Sequence, residues 1–212
     1  MTIDSYRTPL LTARQTARYL TMPESTLNTW LAISSDEPLV HAVAPERRGW
    51  PRVPFVGIVE AHVLRALRVV GMPMDEIRRA AAIVRAEFDD PFVLAKRRIA
   101  TDGVAVFVRL ADESMVRARD HQHAIKEVLE SHLHDIEWDT GTAIRLRLPR
   151  YPSSAEVVID PRFGWGSPVL TANKVKVSDV VALWRTGEPI SAVAEEYDLT
   201  ETVVEDVLRQ AA

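Results

Sequence analysis

Short hydrogen-bonding side chains cluster on one helix that the sequence predicts near the N-terminus. Its inner face is apolar, with Leu27, Trp30 and Leu31 at helical spacing. The outer positions carry Ser25, Thr26, Asn28 and Thr29. Hydroxyl and amide groups of this length reach base edges and phosphate oxygens in the major groove of DNA. A solvated helix face has the same composition, so these residues alone leave DNA contact and simple solvation both open.

Three arginines lie in the segment that follows this helix. Residues 34–54 are rich in proline and turn-forming residues and contain Arg47, Arg48 and Arg52. A short hairpin, or wing, at this place would hold their guanidinium groups against the DNA backbone, because the planar fork pairs bidentately with phosphate. A solvated loop is the alternative interpretation.

The sequence contains no pattern that predicts catalysis, a metal site or a cofactor. It has no P-loop, G-x-S-x-G or G-x-G-x-x-G motif, and zero cysteines exclude disulfides and thiolate zinc sites. The central region carries His121, His123, His132 and His134. On one helix His121 and His132 would lie roughly 16 Å apart along the axis, too far to share an ion. We predict a non-enzymatic protein without a metal or cofactor.

Two short helices must position the polar cluster. Thr12 and Gln15 have the spacing of a capping box, which predicts a helix start, and Ala13, Ala17 and Leu20 follow at helical spacing. A break of three to four residues around Pro23 then separates this helix from the polar one. These dimensions are typical of a helix-turn-helix.

A long apolar stripe follows, interrupted once. The sequence Gly71-Met72-Pro73 divides it into two helices, the second of which begins near Met74. The stripe comprises Val56, Val59, Val63, Leu64, Leu67, Val70, Ile77, Ala80, Ala81 and Val84. It is predicted to form core or a self-association face. If the helix-turn-helix binds DNA, we expect a homodimer, because the DNA sites of such proteins have two-fold symmetry. The apolar stripe is the predicted dimer interface.

The centre of the chain changes period. Residues 104–110 are β-branched and aromatic and predict a strand, and residues 112–137 are compatible with a helix. Ile144 to Leu148 alternates strictly, which places Arg145 and Arg147 on one outer face. With residues 157–159 these strands are predicted to form one small sheet, and 149–154 a linker.

The C-terminal segment predicts three helices. Their apolar positions are Val180, Leu183 and Trp184, then Ile190, Val193, Ala194 and Tyr197, then Val203, Val204, Val207 and Leu208. The last two helices repeat the first pair at an offset of 177 residues, with Thr200 as an N-cap. This copy is acidic, so we expect it to bind a protein or to pack on its own chain rather than to contact phosphate.

Composition sets the class of the molecule. The 212 residues are 47% hydrophobic, and no stretch is long and apolar enough for a membrane span. The N-terminus lacks the layout of a signal peptide, so we expect a soluble, cytoplasmic protein. Residues 1–100 contain 14 Lys and Arg against 11 Asp and Glu, whereas residues 101–212 contain 12 against 19. The basic front and acidic back predict two kinds of binding surface.

The first 88 residues resemble the winged-helix module of MerR-type regulators. The specific part is Leu67-Arg68-Val69-Val70-Gly71-Met72-Pro73-Met74-Asp75-Glu76-Ile77, which follows the family's Leu-Arg-x-x-Gly pattern before its next helix. The family's Arg-Tyr-Tyr signature is replaced by Asn28-Thr29-Trp30. The resemblance implies a DNA-binding winged helix-turn-helix.

The last 50 residues resemble the domain-of-unknown-function family numbered 433. An Ile-Asp-Pro start at Ile159, paired glycines, Pro-Val, a Val-x-Asp-Val helix start and Tyr-x-Leu-Thr occur in the family's order. The family usually has Gly-Thr-Arg where Ala172-Asn173-Lys174 stand. Members are often antitoxins that neutralise a PIN-domain ribonuclease toxin, which implies a VapB-type antitoxin that binds its operator DNA.

The resemblance also implies which cations would meet the toxin. PIN ribonucleases cluster carboxylates around metal, so an inhibitor would offer positive charge. The candidates are Arg145, Arg147, Arg162, Lys174 and Lys176; taken singly, each could equally be a solubilising charge. A stand-alone MerR-like transcription regulator without a toxin is the alternative function.

The expected fold is mainly α with small β elements. It consists of a winged helix-turn-helix and dimerisation region over residues 1–100, a central α/β segment with a small sheet over 101–154, and a three-helix domain like a helix-turn-helix over 155–212.

Overall fold

The computed structural model describes residues 4, 6–32, 38–107 and 120–211. It is mainly α-helical with short antiparallel strands, as the sequence predicts. The chain divides into two units, one comprising Asp4–Ile144 and one beginning at Arg145. The predicted three-part division instead placed its last boundary between residues 154 and 155. None of the described helices is long and apolar enough to cross a membrane.

The first unit begins with the predicted pair of short helices. Helix α1 is Ala13–Tyr19 and starts with the Thr12–Gln15 capping box, in which the Gln15 N–H donates to Thr12 Oγ1 over 3.2 Å. Helix α2 is Glu24–Leu31 and begins directly after Pro23. Three α2 side chains, Leu27, Trp30 and Leu31, are fully buried, as predicted.

Two longer helices carry the apolar stripe. Helix α3 is Phe55–Val69 and helix α4 is Met74–Phe88, separated at Gly71, which has a φ of 85°. Every residue of the stripe is buried inside this unit except Val70, which is half-buried. The prediction that it is a dimer seam is therefore wrong, because its side chains are already packed against their own chain and are not available to a second one.

A pair of short strands frames the loop between α2 and α3. Strand β1 is Pro9–Leu11, strand β2 is Val53–Pro54, and they pair antiparallel with Leu11 opposite Val53. Val43 donates its N–H to the carbonyl oxygen of Arg52 over 2.8 Å, which closes the end of the loop. The described part of the predicted wing is therefore a loop returning to a two-residue strand.

The predicted strand over residues 104–110 is wrong where the structure describes it. A 3-10 helix at Val93–Ala95 and a π-helix at Ile99–Gly103 lead into helical residues 104–107. Val104 and Phe107 are both buried, three residues apart on one helical face. A continuous apolar run does not distinguish strand from buried helix, and tertiary burial decided it here.

Helix α5 and a hairpin complete the first unit. Helix α5, Asp120–His134, packs against α3, and strand β3, Ile136–Asp139, follows at once. The observed helix ends three residues before the predicted end at residue 137, and the predicted start at residue 112 lies outside the described residues. Strand β4, Thr142–Arg147, pairs with β3, and the boundary between the units falls within β4.

The second unit continues the antiparallel pairing. Strand β5 is Val157–Ile159 and pairs with β4, placing Leu146 opposite Ile159, and strand β6, Val169–Leu170, pairs with β5. The predicted linker is not extended, because Tyr151 is buried and Ser153–Ala155 is a 3-10 helix.

Three helices end the second unit. They are α6, Val177–Arg185, α7, Ile190–Glu196, and α8, Glu201–Ala211. Val180, Val193 and Val204 are fully buried among them. Trp184, predicted to face inward, is instead 42% exposed.

Candidate nucleic-acid and partner interfaces

Helix α2 presents the predicted polar face. Ser25, Asn28 and Thr29 are exposed and Thr26 is half-buried. The Thr29 hydroxyl donates to the carbonyl oxygen of Ser25 over 3.0 Å. The opposite face is held rigidly, since Trp30 is fully buried and its indole N–H points to the Met74 sulfur at 3.3 Å. A fixed helix with short polar groups outward has the geometry needed to read a DNA groove.

The three loop arginines have different environments. Arg47 and Arg48 are exposed, and the Arg47 guanidinium lies 5.3 Å from the ring centroid of Trp50, which is 48% exposed. Arg52 is half-buried and donates to the carbonyl oxygen of Leu31 over 3.1 Å. The structure therefore ties Arg52 to the C-terminus of α2 and leaves Arg47 and Arg48 on the surface.

A basic groove beside α2 was missed by the sequence analysis. It has a volume of about 300 Å³ and is lined by the turn between α1 and α2, by Thr26 and Trp30, and by Arg65, Arg68 and Val69 of α3. Arg68 also donates to the carbonyl oxygen of Met72 over 2.8 Å. Arg65 and Arg68 are three residues apart, a spacing that places both on one face of a helix and could have indicated a basic surface. The sequence analysis instead assigned the whole helix to the core.

A buried ion pair holds the loop onto the helices. Glu60 of α3 accepts the His41 N–H over 2.6 Å and an Arg85 N–H over 3.3 Å. Arg85 also donates to the carbonyl oxygen of Leu39 over 2.8 Å. Burial raises the pKa of Glu60 to about 7, although Arg85 and the His41 N–H favour its ionised form. This cluster positions the loop that carries Arg47 and Arg48.

Two histidines meet between α3 and α5. His62 is fully buried, and its Nε2 lies 2.9 Å from the carbonyl oxygen of His132 and 3.7 Å from the Asp135 carboxylate. Burial lowers the pKa of His62 to about 3, so the ring is neutral at physiological pH. His134 is exposed, and the side chains of His121 and His123 lie outside the described residues.

Two of the five predicted partner-binding cations converge on one carboxylate in the second unit. Asp160 is fully buried, and its oxygens accept from Arg145 Nε over 3.2 Å and from Arg162 Nε and Nη2 over 2.9 and 2.7 Å. Burial alone would raise the pKa of Asp160, but the hydrogen bonds from Arg162 and Arg145 outweigh it and hold the pKa below its usual value. Arg145 and Arg162 thus have a structural role.

The other cations lie along the same unit. Arg147 stands opposite Val158 in the sheet, and Lys174 and Lys176 are half-buried near β6. The Lys174 ammonium donates to the carbonyl oxygen of Thr171 and lies 5.6 Å from the ring centroid of Phe163. The turn has its positive φ, 65°, at Lys174 rather than at Ala172, where the family pattern has glycine.

The predicted internal repeat is confirmed in three dimensions. Helix α7 begins and ends 177 residues after α1, and α8 begins 177 residues after α2. The turn residues match as well, since Thr21 has a φ of 53° and Asp198 a φ of 50°. Met22 donates to the carbonyl oxygen of Ala17 over 2.9 Å, and Leu199 donates to that of Ala194 over the same distance.

The two copies differ in surface charge. In the second, the exposed positions of α7, the turn and α8 carry Glu195, Glu196, Asp198, Glu201 and Glu205. Asp206 is buried and accepts from the Ser154 hydroxyl over 2.6 Å, which joins α8 to the 3-10 helix before β5. In the first copy the exposed charged residues of α1 and α2 are Arg14, Arg18 and Glu24, so the second copy alone is strongly acidic.

Comparison with known proteins assigns both ends of the chain. Residues 9–81 match a family described as "Putative DNA-binding HTH domain", and residues 157–211 match "Protein of unknown function (DUF433)". The chain is 34% identical to "Putative antitoxin VapB45" of Mycobacterium tuberculosis (strain ATCC 25618 / H37Rv) over 94% of this chain and 92% of that protein. It is 32% identical to the X-ray crystal structure of Rv2018 from Mycobacterium tuberculosis, with a TM-score of 0.82, covering 96% of this chain and 99% of that one.

The helix pair α1–α2 and the family match over residues 9–81 place a helix-turn-helix domain of a DNA-binding type in the first unit. Over nearly its full length, the chain belongs to the family of "Putative antitoxin VapB45". The predicted resemblance to family 433 is confirmed. The MerR-like character of the first unit and the PIN-domain partner stay predictions.

Proposed function

We propose that this protein is the antitoxin of a type II toxin–antitoxin pair, which neutralises a PIN-domain ribonuclease by direct binding and represses its own operon. The observation that supports this most strongly is the similarity to "Putative antitoxin VapB45" across both units, rather than across the helix-turn-helix alone. The duplicated helix-turn-helix with two different surface charges supports a division of labour.

In this proposal the first unit binds operator DNA. Ser25, Thr26, Asn28 and Thr29 of α2 enter the major groove, while Arg47 and Arg48 contact phosphates beside it. Arg52 acts on α2 through the carbonyl oxygen of Leu31. Two-fold operators require two recognition helices, so we expect a homodimer formed by a surface other than the buried α3–α4 stripe.

In the same proposal the second unit covers the toxin. Arg147, Lys174 and Lys176 offer positive charge to the carboxylates of the ribonuclease. Arg162 is a further candidate because its side chain is exposed, although its guanidinium is paired with Asp160. Arg145 stabilises this surface through its hydrogen bond to the buried Asp160 carboxylate.

The test is co-purification of the tagged chain from its native host, followed by mass spectrometry and a ribonuclease assay. We expect a small ribonuclease in near-stoichiometric amount, whose RNA cleavage stops when the full chain is added back. Recovery of DNA without such a partner would contradict the antitoxin function and favour a stand-alone transcription regulator. Ligand-dependent DNA affinity would then identify that regulator.

A further inference from the structure

Trp165 is held in a conformation that costs free energy and exposes it to water. Its φ is 54° and its ψ is 42°, in the left-handed region that bulky L-residues rarely adopt. Its side chain is 68% exposed, the most of any large hydrophobic residue that the structure describes. Neither feature stabilises the unit that carries it. A strained backbone combined with a large exposed apolar side chain is a reason to look for a function at this position.

The loop that carries Trp165 is fixed to the sheet. A Cβ on Gly164 would approach the Val169 side chain to 2.9 Å, so only glycine allows the loop to lie this close to β6. The Phe163 and Ser167 N–H groups donate to the carbonyl oxygens of Asp160 and Gly164, each over 3.0 Å. The indole is therefore presented by a preorganised turn, which reduces the entropy lost on binding.

Positive charge surrounds the neighbouring ring. Phe163 is 37% exposed, with the Arg162 guanidinium 5.7 Å and the Lys174 ammonium 5.6 Å from its centroid. Arg162 is oriented by its bidentate pair with the buried Asp160 carboxylate. An exposed Phe163 ring with two oriented cations against it, two residues before the exposed Trp165, matches the composition of binding hot spots in protein interfaces.

We propose that Phe163, Trp165, Arg162 and Lys174 form the aromatic anchor through which this chain grips its toxin. The inference rests on the proposed antitoxin function and deepens it. Trp165 enters an apolar slot on the toxin, while the two cations face carboxylates at the rim of that slot. The complementary partner surface is acidic around an apolar depression, which fits a ribonuclease with a carboxylate active site.

Local charge favours a protein partner over nucleic acid at this anchor. The Asn173 side chain donates to the carbonyl oxygen of Tyr197 over 2.7 Å, which brings the Lys174 turn next to the acidic α7–α8 copy. Residues 145–212 contain eight Lys and Arg against ten Asp and Glu. A polyanion bound at the anchor would meet these carboxylates, whereas a compact acidic protein patch can contact the cations alone.

The decisive variant is Trp165→Gly in the full chain. Glycine adopts the left-handed conformation without strain, so we expect the melting temperature to stay equal or to rise. We expect the affinity for the ribonuclease identified by co-purification, itself purified separately, to fall about 30-fold or more by calorimetry. Trp50→Ala, which removes an exposed indole from the first unit, is the matched control and should leave that affinity unchanged.

The outcomes separate the anchor from the antitoxin function. If Trp165→Gly binds the toxin with the affinity of the wild-type chain, the anchor is overturned, and the proposed function stands because the wild-type chain still binds. If no ribonuclease is recovered with the wild-type chain, the proposed function fails and the anchor with it. Loss of self-association, or of retention on single-stranded oligonucleotide, with unchanged toxin affinity would also overturn the anchor.

Discussion

Single ionisable residues determine how the stability of this protein depends on pH. Asp160 and His62 are both buried, but their environments act in opposite ways. Asp160 is surrounded by guanidinium donors and stays charged, whereas the buried His62 stays neutral. Each difference between the folded and unfolded pKa becomes a dependence of the free energy of unfolding on pH.

Asp160→Asn should lower the free energy of unfolding at neutral pH by about 1–3 kcal/mol, because the Arg145 and Arg162 donors lose a charged acceptor. The lowered folded-state pKa means that the wild-type advantage is present above the unfolded pKa, about 3.9, and is lost as the pH falls through the folded value. Urea titrations at pH 7 and pH 3 measure this, with exposed Asp198→Asn as control. A difference of equal size at both values would contradict it.

His62→Gln should flatten the acid side of the stability profile. Between pH 6.5 and 3 the unfolded chain binds a proton at His62 that the folded chain refuses, so wild-type stability falls with falling pH, by up to about 1.4 kcal/mol per unit. Glutamine has no such proton. Chemical unfolding at several pH values compares the two slopes, and parallel slopes would show that His62 is charged when folded.

At the scale of elements, the chain uses one helix-turn-helix geometry twice. Both turns need a residue with positive φ, Thr21 in the first and Asp198 in the second. Aspartate tolerates the left-handed region, whereas the β-branched threonine is strained there. Backbone strain at Thr21, in the turn that leads into α2, therefore lowers the stability of the first unit.

Thr21→Gly should therefore stabilise the protein by about 0.5–1 kcal/mol, and Asp198→Gly by less, since only the first relieves a β-branched side chain. Equilibrium unfolding in urea, followed by circular dichroism, compares the two variants at equivalent positions of the repeat. Equal gains, or a loss at Thr21, would show that the threonine is not strained in solution.

At the scale of the whole molecule, the two units differ in the charges that they carry on their surfaces. The first carries Arg47 and Arg48 on its surface, and the second carries Lys174 and Lys176 among acidic helices. If the proposed division of labour holds, charge reversal in one unit should leave the function of the other intact. We expect the effects of the two charge reversals to be additive, because the Arg47–Arg48 site and the Lys174–Lys176 site share no residue.

Arg47→Glu with Arg48→Glu should weaken DNA binding and reduce the slope of log K against log salt by about 1.8, the loss of two phosphate contacts. Lys174→Glu with Lys176→Glu should leave that slope unchanged and weaken toxin binding instead. Fluorescence anisotropy on an operator fragment at several salt concentrations measures the first effect. Wild-type DNA binding by both double variants would refute the division.

Local patterns in the sequence by themselves determined the helices at both ends of the chain. The Thr12–Gln15 capping box, the glycine at Gly71 and the 177-residue repeat were predictable because caps, turns and helical periodicity act over a few neighbouring residues. The family pattern beginning at Ile159 was recognisable for the same reason, since its turns and helix starts have a fixed order.

Only the tertiary structure decided what those elements do with their surfaces. The apolar stripe through Val63 is core and not a dimer seam, and the run that begins at Val104 is helical, because burial depends on partners far away in sequence. Asp160 forms ion pairs with Arg145 and Arg162, which the sequence analysis had assigned to partner binding, and no pattern in the sequence revealed these pairs. The exposure of Trp165 likewise follows from how its loop lies on β6, a matter of packing between segments that sequence periodicity does not encode.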